Sequence, residues 1–188
     1  MTDTLDFMLT RRSVSGSTLV APAPDRATVE KILTAGSRVP DHKALVPWRF
    51  IVFEGQALQR MGQALHDRAL ENEFGEKRAE MVRRSWQKLP MSIAVVASPK
   101  PDAGIPDVEQ TLSAGAACVS VLNAALASGF GANWITGWMA FDSEFLQREL
   151  GLDEHEYVAG FIHVGTRSMD PAERDRPPLD SITTWLSE

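Results

Sequence analysis

The chain has 188 residues, 44% of them apolar and 23% charged, and a net charge of −6. That length allows one compact domain with a sizeable core, expected to span residues 1–188, and the ordinary balance of apolar and charged residues excludes fibrous and disordered classes. An acidic chain has no global field to attract nucleic acid or an anionic membrane, so neither is an expected partner, and any bound anion must be held by a local cluster of cations.

In chain order, Asp3 to Arg11 reads as a short helix carrying Leu5, Met8 and Leu9 at helical spacing. Arg11-Arg12-Ser13 then breaks into the polar run Ser15-Gly16-Ser17-Thr18. Two arginines at a helix end complement its dipole; the same arginines and a serine also have the donors of a phosphate clamp, and the segment alone leaves both readings open. Asp25 caps a second helix with Val29, Ile32 and Leu33 as its inward stripe, closing at Ala35-Gly36. From Arg38 to Pro47 two prolines hold an extended, helix-free loop with Arg38, His42 and Lys43 on it. This basic loop suits a phosphate or a planar anion, or is only a solvated connection.

Arg49 to Phe53 reads as a buried strand, Gln56 to Leu70 as an amphipathic helix, and Glu71 to Lys88 as a charged surface helix or helical lid whose aromatics face the core. Ile93 to Ala97 is a second buried strand. Asp107 with Gln110 resembles a capping box opening a long helix that Gly129 stops. Being small and apolar on all sides from Leu112 to Ala127, that helix must be buried on all sides, which suggests a subunit interface; Ser120, Asn123 and Ser128 argue against a membrane span. Cys118 reads as an inert core residue. A lone cysteine and an N-terminus without a basic and then apolar stretch point to the cytoplasm. Gly131 to Trp138 is strand-like, Asp142 caps a short helix closed by Gly151, and Val158 to Gly165 is the last strand. The tail is charged and proline-rich from Arg167 to Pro178, yet it ends in Ile182, Trp185 and Leu186, which need an apolar dock on this domain or a partner.

No Walker loop, Gly-x-Gly-x-x-Gly, Gly-x-Ser-x-Gly elbow or His-Glu-x-x-His occurs, and His42, His66, His155 and His163 have no metal-ligand spacing, so no metal is expected. Residue chemistry alone leads to a soluble, dimeric domain mixing helices and strands, with a local anion site built from Arg11, Arg12, Ser13 and the Arg38 to Lys43 loop.

The order of Arg11-Arg12-Ser13, then Ala35-Gly36-Ser37-Arg38-Val39-Pro40-Asp41-His42-Lys43, then Pro47-Trp48 before Phe50-Ile51-Val52, resembles the nitroreductase family in its short YdjA-like branch. Gly129-Phe130-Gly131-Ala132-Asn133-Trp134 and Gly160-Phe161-Ile162-His163-Val164-Gly165-Thr166 agree in order and spacing. The resemblance implies an α+β fold with a central, mostly antiparallel sheet flanked by helices in an intertwined homodimer. It also implies an FMN-dependent oxidoreductase that takes hydride from NAD(P)H and reduces a small-molecule acceptor, a nitroaromatic or quinone, in a ping-pong cycle. Carried over by motif, Arg11, Arg12 and Ser13 hold the FMN phosphate and ribityl chain. Arg38 and His42 reach the flavin, His42 alone or together with Arg38 acting across the dimer, and Trp134, Ile135 and Thr136 line its ring. Ala124, Ala125, Leu126, Ala127, Ser128 and Gly129 correspond to the nicotinamide-nucleotide segment. The flavin carries the chemistry, so no catalytic side chain is implied. Of the family's second cationic pair near the C-terminus, only Arg174 or Arg176 is available. Same-fold alternatives are a dehalogenase or dehydrogenase, or a flavin-binding module that does not turn over.

Overall fold

The computed structural model describes residues 4–187. Five strands form one sheet, β1 (Leu19–Val20), β2 (Trp48–Glu54), β3 (Met91–Ala97), β4 (Gly131–Ile135) and β5 (Tyr157–Arg167), and every pairing in it is antiparallel. β3 lies between β2 and β5, and the other side of β5 pairs with β4 from Phe161 to Gly165 and with β1 at Thr166 and Arg167. β3 is buried at all seven positions, which is why its sequence, apart from Ser92, is apolar without alternation.

The two sheet faces build two cores. Ile93, Val95, Ile162 and Val164 point toward α5 (Asp107–Ala127) and α2 (Arg26–Gly36), while Ala94, Val96, Val158 and Phe161 point toward α3 (Gln56–Glu71), α4 (Glu76–Gln87) and α6 (Ser143–Leu150). Trp86 anchors the second core, edge-on to Phe53 and Phe161 at 5.8 and 5.2 Å between centroids. Backbones approach closely where glycine allows it. A Cβ at Gly36 would meet Val121 Cγ2 at 2.5 Å where α2 crosses α5, and Ser120 Oγ donates there to the Ala35 carbonyl at 2.8 Å.

The caps on α2 and α6 form as their sequences predict: Asp25 accepts from the Thr28 N–H and Asp142 from the Phe145 N–H. α1 (Thr4–Thr10) ends before Arg11, and Asp3, its expected first residue, lies outside the described residues. Four expectations need correction. The charged stretch from Glu71 does not form one helix with α4; the chain turns through Asn72–Gly75, with Gly75 at φ 81°, so that α4 folds back on α3. Gln110 caps nothing: its carboxamide instead binds the Lys100 N–H at 2.7 Å and the Ile105 carbonyl at 3.1 Å, tying the preceding loop to α5. Gly131 to Trp138 is strand only to Ile135, after which Gly137, at φ 66°, turns the chain into a 3-10 turn. The fourth is the loop before β2, which contains a 3-10 turn at His42–Ala44 rather than an unbroken extended segment.

α5 is long and apolar enough to cross a membrane. Here it packs on β3, β4 and β5. Burial pushes the Cys118 thiol up to about 12, in keeping with an inert core position. Yet α5 is not buried all round: Val108, Leu112 and Val119, at helical spacing, are 61%, 67% and 43% exposed. The tail finds no dock on its own chain either, with Trp185 83% and Leu186 90% exposed.

Candidate functional site

Arg11, Arg12 and Ser13 follow α1 directly, and the chain then runs beside β4, where the Val14 N–H donates to the Ala132 carbonyl at 2.9 Å. Arg11 Nη2 donates to Ser13 Oγ at 2.9 Å, while Arg11 Nε is buried without a partner among the described residues. Burial lowers the Arg11 guanidinium pKa, and the charges of Arg176 and then Arg12 lower it further. Of the two tail arginines, Arg176 is therefore the one whose charge reaches Arg11; Arg174 directs its backbone N–H at Glu173, 2.8 Å away. Arg167 joins Arg11, Arg12, Leu126, Gly129 and Phe130 around a cavity of about 350 Å³. Glu173, 3.0 Å from Arg12, and Asp170, 3.4 Å from Arg167, supply the local counter-charge. Clustered guanidinium groups with a desolvated, unused N–H are stabilised by a bound anion, and arginine forks match phosphate oxygens.

β4 pairs on one side only, with β5, and its outer edge receives Val14. Main-chain N–H and C=O groups of one residue point the same way, and this direction alternates along a strand. Trp134, two residues beyond Ala132, therefore presents its main-chain groups on that outer edge. The side chains of Trp134 and Ile135 point to opposite faces. Ile135 packs on the core beneath α3 and α4, whereas the Trp134 indole lies over Gly160 and donates from Nε1 to the Ala159 carbonyl at 3.2 Å. Of the three, Trp134 presents an outward edge of backbone and Ile135, by the same alternation, turns its main-chain groups to β5, so they do not form one wall of side chains. Such an edge suits the rim of a planar heterocycle. The indole position depends on Gly160, where a Cβ would stand 1.9 Å from Trp134 Nε1. Gly160→Ala is expected to displace the indole, shift the tryptophan emission and cost about 1–3 kcal/mol in chemical denaturation. An unchanged spectrum and midpoint would show that the ring swings aside freely.

Arg38 and His42 lie elsewhere. Arg38 is exposed and its guanidinium has no partner among the described residues, and His42 Nδ1 stands 2.7 Å from Glu109 Oε2 in the first turn of α5. Lys43, Ala44 and Val46 adopt positive φ of 59°, 53° and 50°. Left-handed backbone costs a non-glycine residue roughly 1–2 kcal/mol, and a β-branched valine is the most unusual case. Asp41 holds the loop in this shape, Oδ1 accepting from Leu45 N–H at 3.1 Å and Oδ2 from Val46 N–H at 2.8 Å. Ser113 Oγ adds a bond to the Pro40 carbonyl at 2.7 Å. Strain retained in this way is characteristic of a loop that presents side chains for use. Glu109, beside His42, and Leu126, beside Arg11, are seventeen positions apart on α5. That places them about 25 Å apart along the helix axis. Within one chain the expected flavin residues thus fall into two groups at opposite ends of α5.

Ala124 to Gly129 form the last turn of α5 and its exit, where Ser128 Oγ donates to the Ala124 carbonyl and Gly129 turns the chain at φ 88°. Leu126 and Gly129 line the arginine cavity, so this segment adjoins the anion site but adds no charge to it.

Sequence reading gave no site role to Asn133 or His163. They are directly opposed on β4 and β5 and face a cavity of about 960 Å³ beneath α4. His163 is buried, its Nδ1 2.9 Å from Ser92 Oγ, and Trp86 packs edge-on to it at 5.3 Å. Burial holds its pKa down at about 4, against an ordinary value of 6.5, so the imidazole is neutral at pH 7. As the pH falls from 6.5 toward 4 the unfolded chain takes up this proton before the folded one does, so stability is full above that window and is lost within it. His163→Leu is expected to flatten this part of the stability curve in urea melts at stepped pH. An unaltered slope would assign the acid loss to other groups. Alternation along β5 is the signal that could have exposed His163, because it breaks an otherwise apolar strand at an inward position.

Comparison with known proteins follows the same outline. The nitroreductase family model matches residues 8–166. A provisionally named NAD(P)H nitroreductase of Escherichia coli (strain K12), YdjA, is 35% identical over 164 residues, covering 87% of this chain and 88% of the relative. A Haemophilus influenzae protein likewise provisionally named as an NAD(P)H nitroreductase is 35% identical, covering 98% of this chain and all of its own. Among solved structures, a nitroreductase-like protein from Bacillus cereus superposes with a TM-score of 0.87 at 22% identity, covering 99% of this chain and 97% of its own. A Desulfovibrio desulfuricans protein provisionally named a nitroreductase and solved in complex with FMN superposes with a TM-score of 0.76 at 23% identity, covering 100% and 98%.

Proposed function

The chain belongs to the nitroreductase family, and from that premise we propose that it is an FMN-dependent oxidoreductase, drawing hydride from NAD(P)H and passing it to electron-poor acceptors such as nitroaromatics or quinones. The observation that carries the reading is the arginine cavity. It combines a buried, unpartnered Arg11 Nε, a like-charge cluster with Arg12 and Arg176, and the open edge of β4 leading away from it. A phosphate monoester on a long polar chain ending in a flat heterocycle fits that layout from one end to the other.

Bound FMN supplies the two-electron hydride chemistry, which no side chain here can carry. Arg11 and Arg12 hold the phosphate, with Arg176 adding charge, and Ser13 meets the ribityl chain. The main-chain edge at Trp134 to Thr136 orients the ring. A cation close to the ring would stabilise charge gathered on it; of the two candidates, Arg12 lines the arginine cavity of its own chain, and Lys43 lies beside His42 on the loop that a second copy would bring to the ring. The Ala124 to Gly129 segment, beside the cavity, is our assignment for contact with the nicotinamide nucleotide. Acceptor and nucleotide then use one pocket in turn, in a ping-pong cycle.

Arg38 and His42 reach the ring only from a second copy of the chain, so the working unit is a homodimer with its sites in the interface. The exposed stripe Val108, Leu112 and Val119 and the undocked tail are the surfaces that such a dimer would cover. The protein is expected to act in the cytoplasm. The test is direct: it should purify yellow, release FMN on denaturation, and bleach when NADH or NADPH is added without oxygen. A colourless protein that ignores added FMN would overturn the assignment, and a yellow one that neither nucleotide bleaches would make it a flavin-binding module.

A further inference from the structure

The loop that carries His42 is clasped to the start of α5 more firmly than a solvated connection needs. Ser113 Oγ, besides donating to the Pro40 carbonyl, accepts from Trp48 Nε1 at 3.1 Å, so one buried hydroxyl joins the loop, the first residue of β2 and the helix. Glu109 stands one turn earlier on the same face of α5, and its Oε2 lies 2.7 Å from His42 Nδ1. Only about 10 Å³ is left open between loop and helix there, no more than a single water requires.

Stability is a poor explanation for this contact. The two side chains are 52% and 45% exposed, and a pair so open to water adds little to the fold. Nor does the helix dipole demand it, since Asp107 already puts a carboxylate in the first turn and Glu109 could serve there from any rotamer. What the geometry does determine is the placing of a proton. A carboxylate only accepts, so the hydrogen of the short contact belongs to Nδ1, and Nε2 is the nitrogen left to meet something else. The ring makes no second hydrogen bond among the described residues. Val108 and Leu112, beside Glu109 on the helix, belong to the exposed apolar stripe, so a copy packed on that stripe would shield the pair from water and strengthen it.

We propose that Glu109 is a positioning residue for the reaction: it fixes the proton on Nδ1 of its own chain's His42 and so presents Nε2 to the flavin bound by a second copy. This rests on the reading that His42 serves a flavin held by the other copy's arginine cavity.

Titration of the flavin-stripped, full-length protein with FMN is expected to show affinity lowered about tenfold in Glu109→Ala and by at least as much in His42→Ala. The double variant should be no weaker than His42→Ala alone, because Glu109 acts only through the ring. Glu109→Gln keeps an accepting oxygen without the charge and should recover most of the loss. Long-range proton–nitrogen NMR of the flavin-free protein at alkaline pH reads the ring directly, with His42→Ala identifying its signals. His42 should carry its hydrogen on Nδ1 in the wild type and lose that preference in Glu109→Ala. Losses that add in the double variant would make Glu109 a structural residue of the helix end and overturn the proposal, as would wild-type affinity in Glu109→Ala or an unchanged ring signal. Wild-type affinity in His42→Ala would overturn it together with the assignment of His42 to the flavin. Failure of the wild type to bind FMN at all would overturn the flavin reading and the proposal with it.

Discussion

Arg11→Ala is expected to purify nearly colourless, with its affinity for added FMN lowered at least about a hundredfold. Arg11 is the guanidinium that the fold desolvates and leaves with an unused Nε, and it already experiences the charges of Arg176 and Arg12. An anion in that position gains charge-assisted hydrogen bonds and relieves like-charge repulsion together, so truncation removes both effects. Neighbouring arginines should matter less. Arg12 has Glu173 at 3.0 Å and must exchange one carboxylate for the phosphate, so Arg12→Ala should weaken binding by a smaller factor. Arg11→Lys keeps the charge but loses the planar fork, and should fall between wild type and Arg11→Ala. Equilibrium dialysis against FMN, with circular dichroism to confirm folding, ranks the three. Full flavin content in Arg11→Ala would refute the phosphate assignment.

Much of this architecture can be read locally. Asp25 and Asp142 cap their helices because a short carboxylate followed by an amphipathic turn has few better uses, and β3 declares itself by the apolar run from Ile93 to Ala97. Residue order also suffices to group Arg11 with Ser13, since their contact spans two positions. Reading failed where the partner is distant. Gln110 looks like a capping residue until the loop at Lys100 and Ile105 closes over it. Nothing local says that Arg176 rather than Arg174 reaches Arg11, because the tail must first return across the end of β4. Trp134 and Ile135 were grouped as one wall, but adjacent strand residues diverge to opposite faces, and only the pairing with β5 shows which face is which.

The second large effect concerns ownership of the site. The Arg11 group and the His42 group lie at opposite ends of α5, and no bound FMN spans that length within one chain. A two-fold axis near the middle of α5 would set the helices antiparallel and bring the His42 end of one copy to the Arg11 end of the other. Such an interface is isologous, each copy offering the same stripe. Val108, Leu112 and Val119 are that stripe, and small residues between them, Gly115 and Ala116, permit close approach. Placing charge there should separate the copies: Leu112→Glu with Val119→Glu is expected to sediment as a monomer and to lose most of its flavin while every arginine remains in place. Retained flavin in a proven monomer would show that one chain holds a whole site. Complementation gives the sharper result. Arg11→Ala and His42→Ala homodimers each carry two defective sites, but in a mixed dimer one site collects both substitutions and the other is intact. Co-expressed variants should therefore recover up to half the wild-type flavin per mixed dimer, whereas residues acting within one chain would recover none.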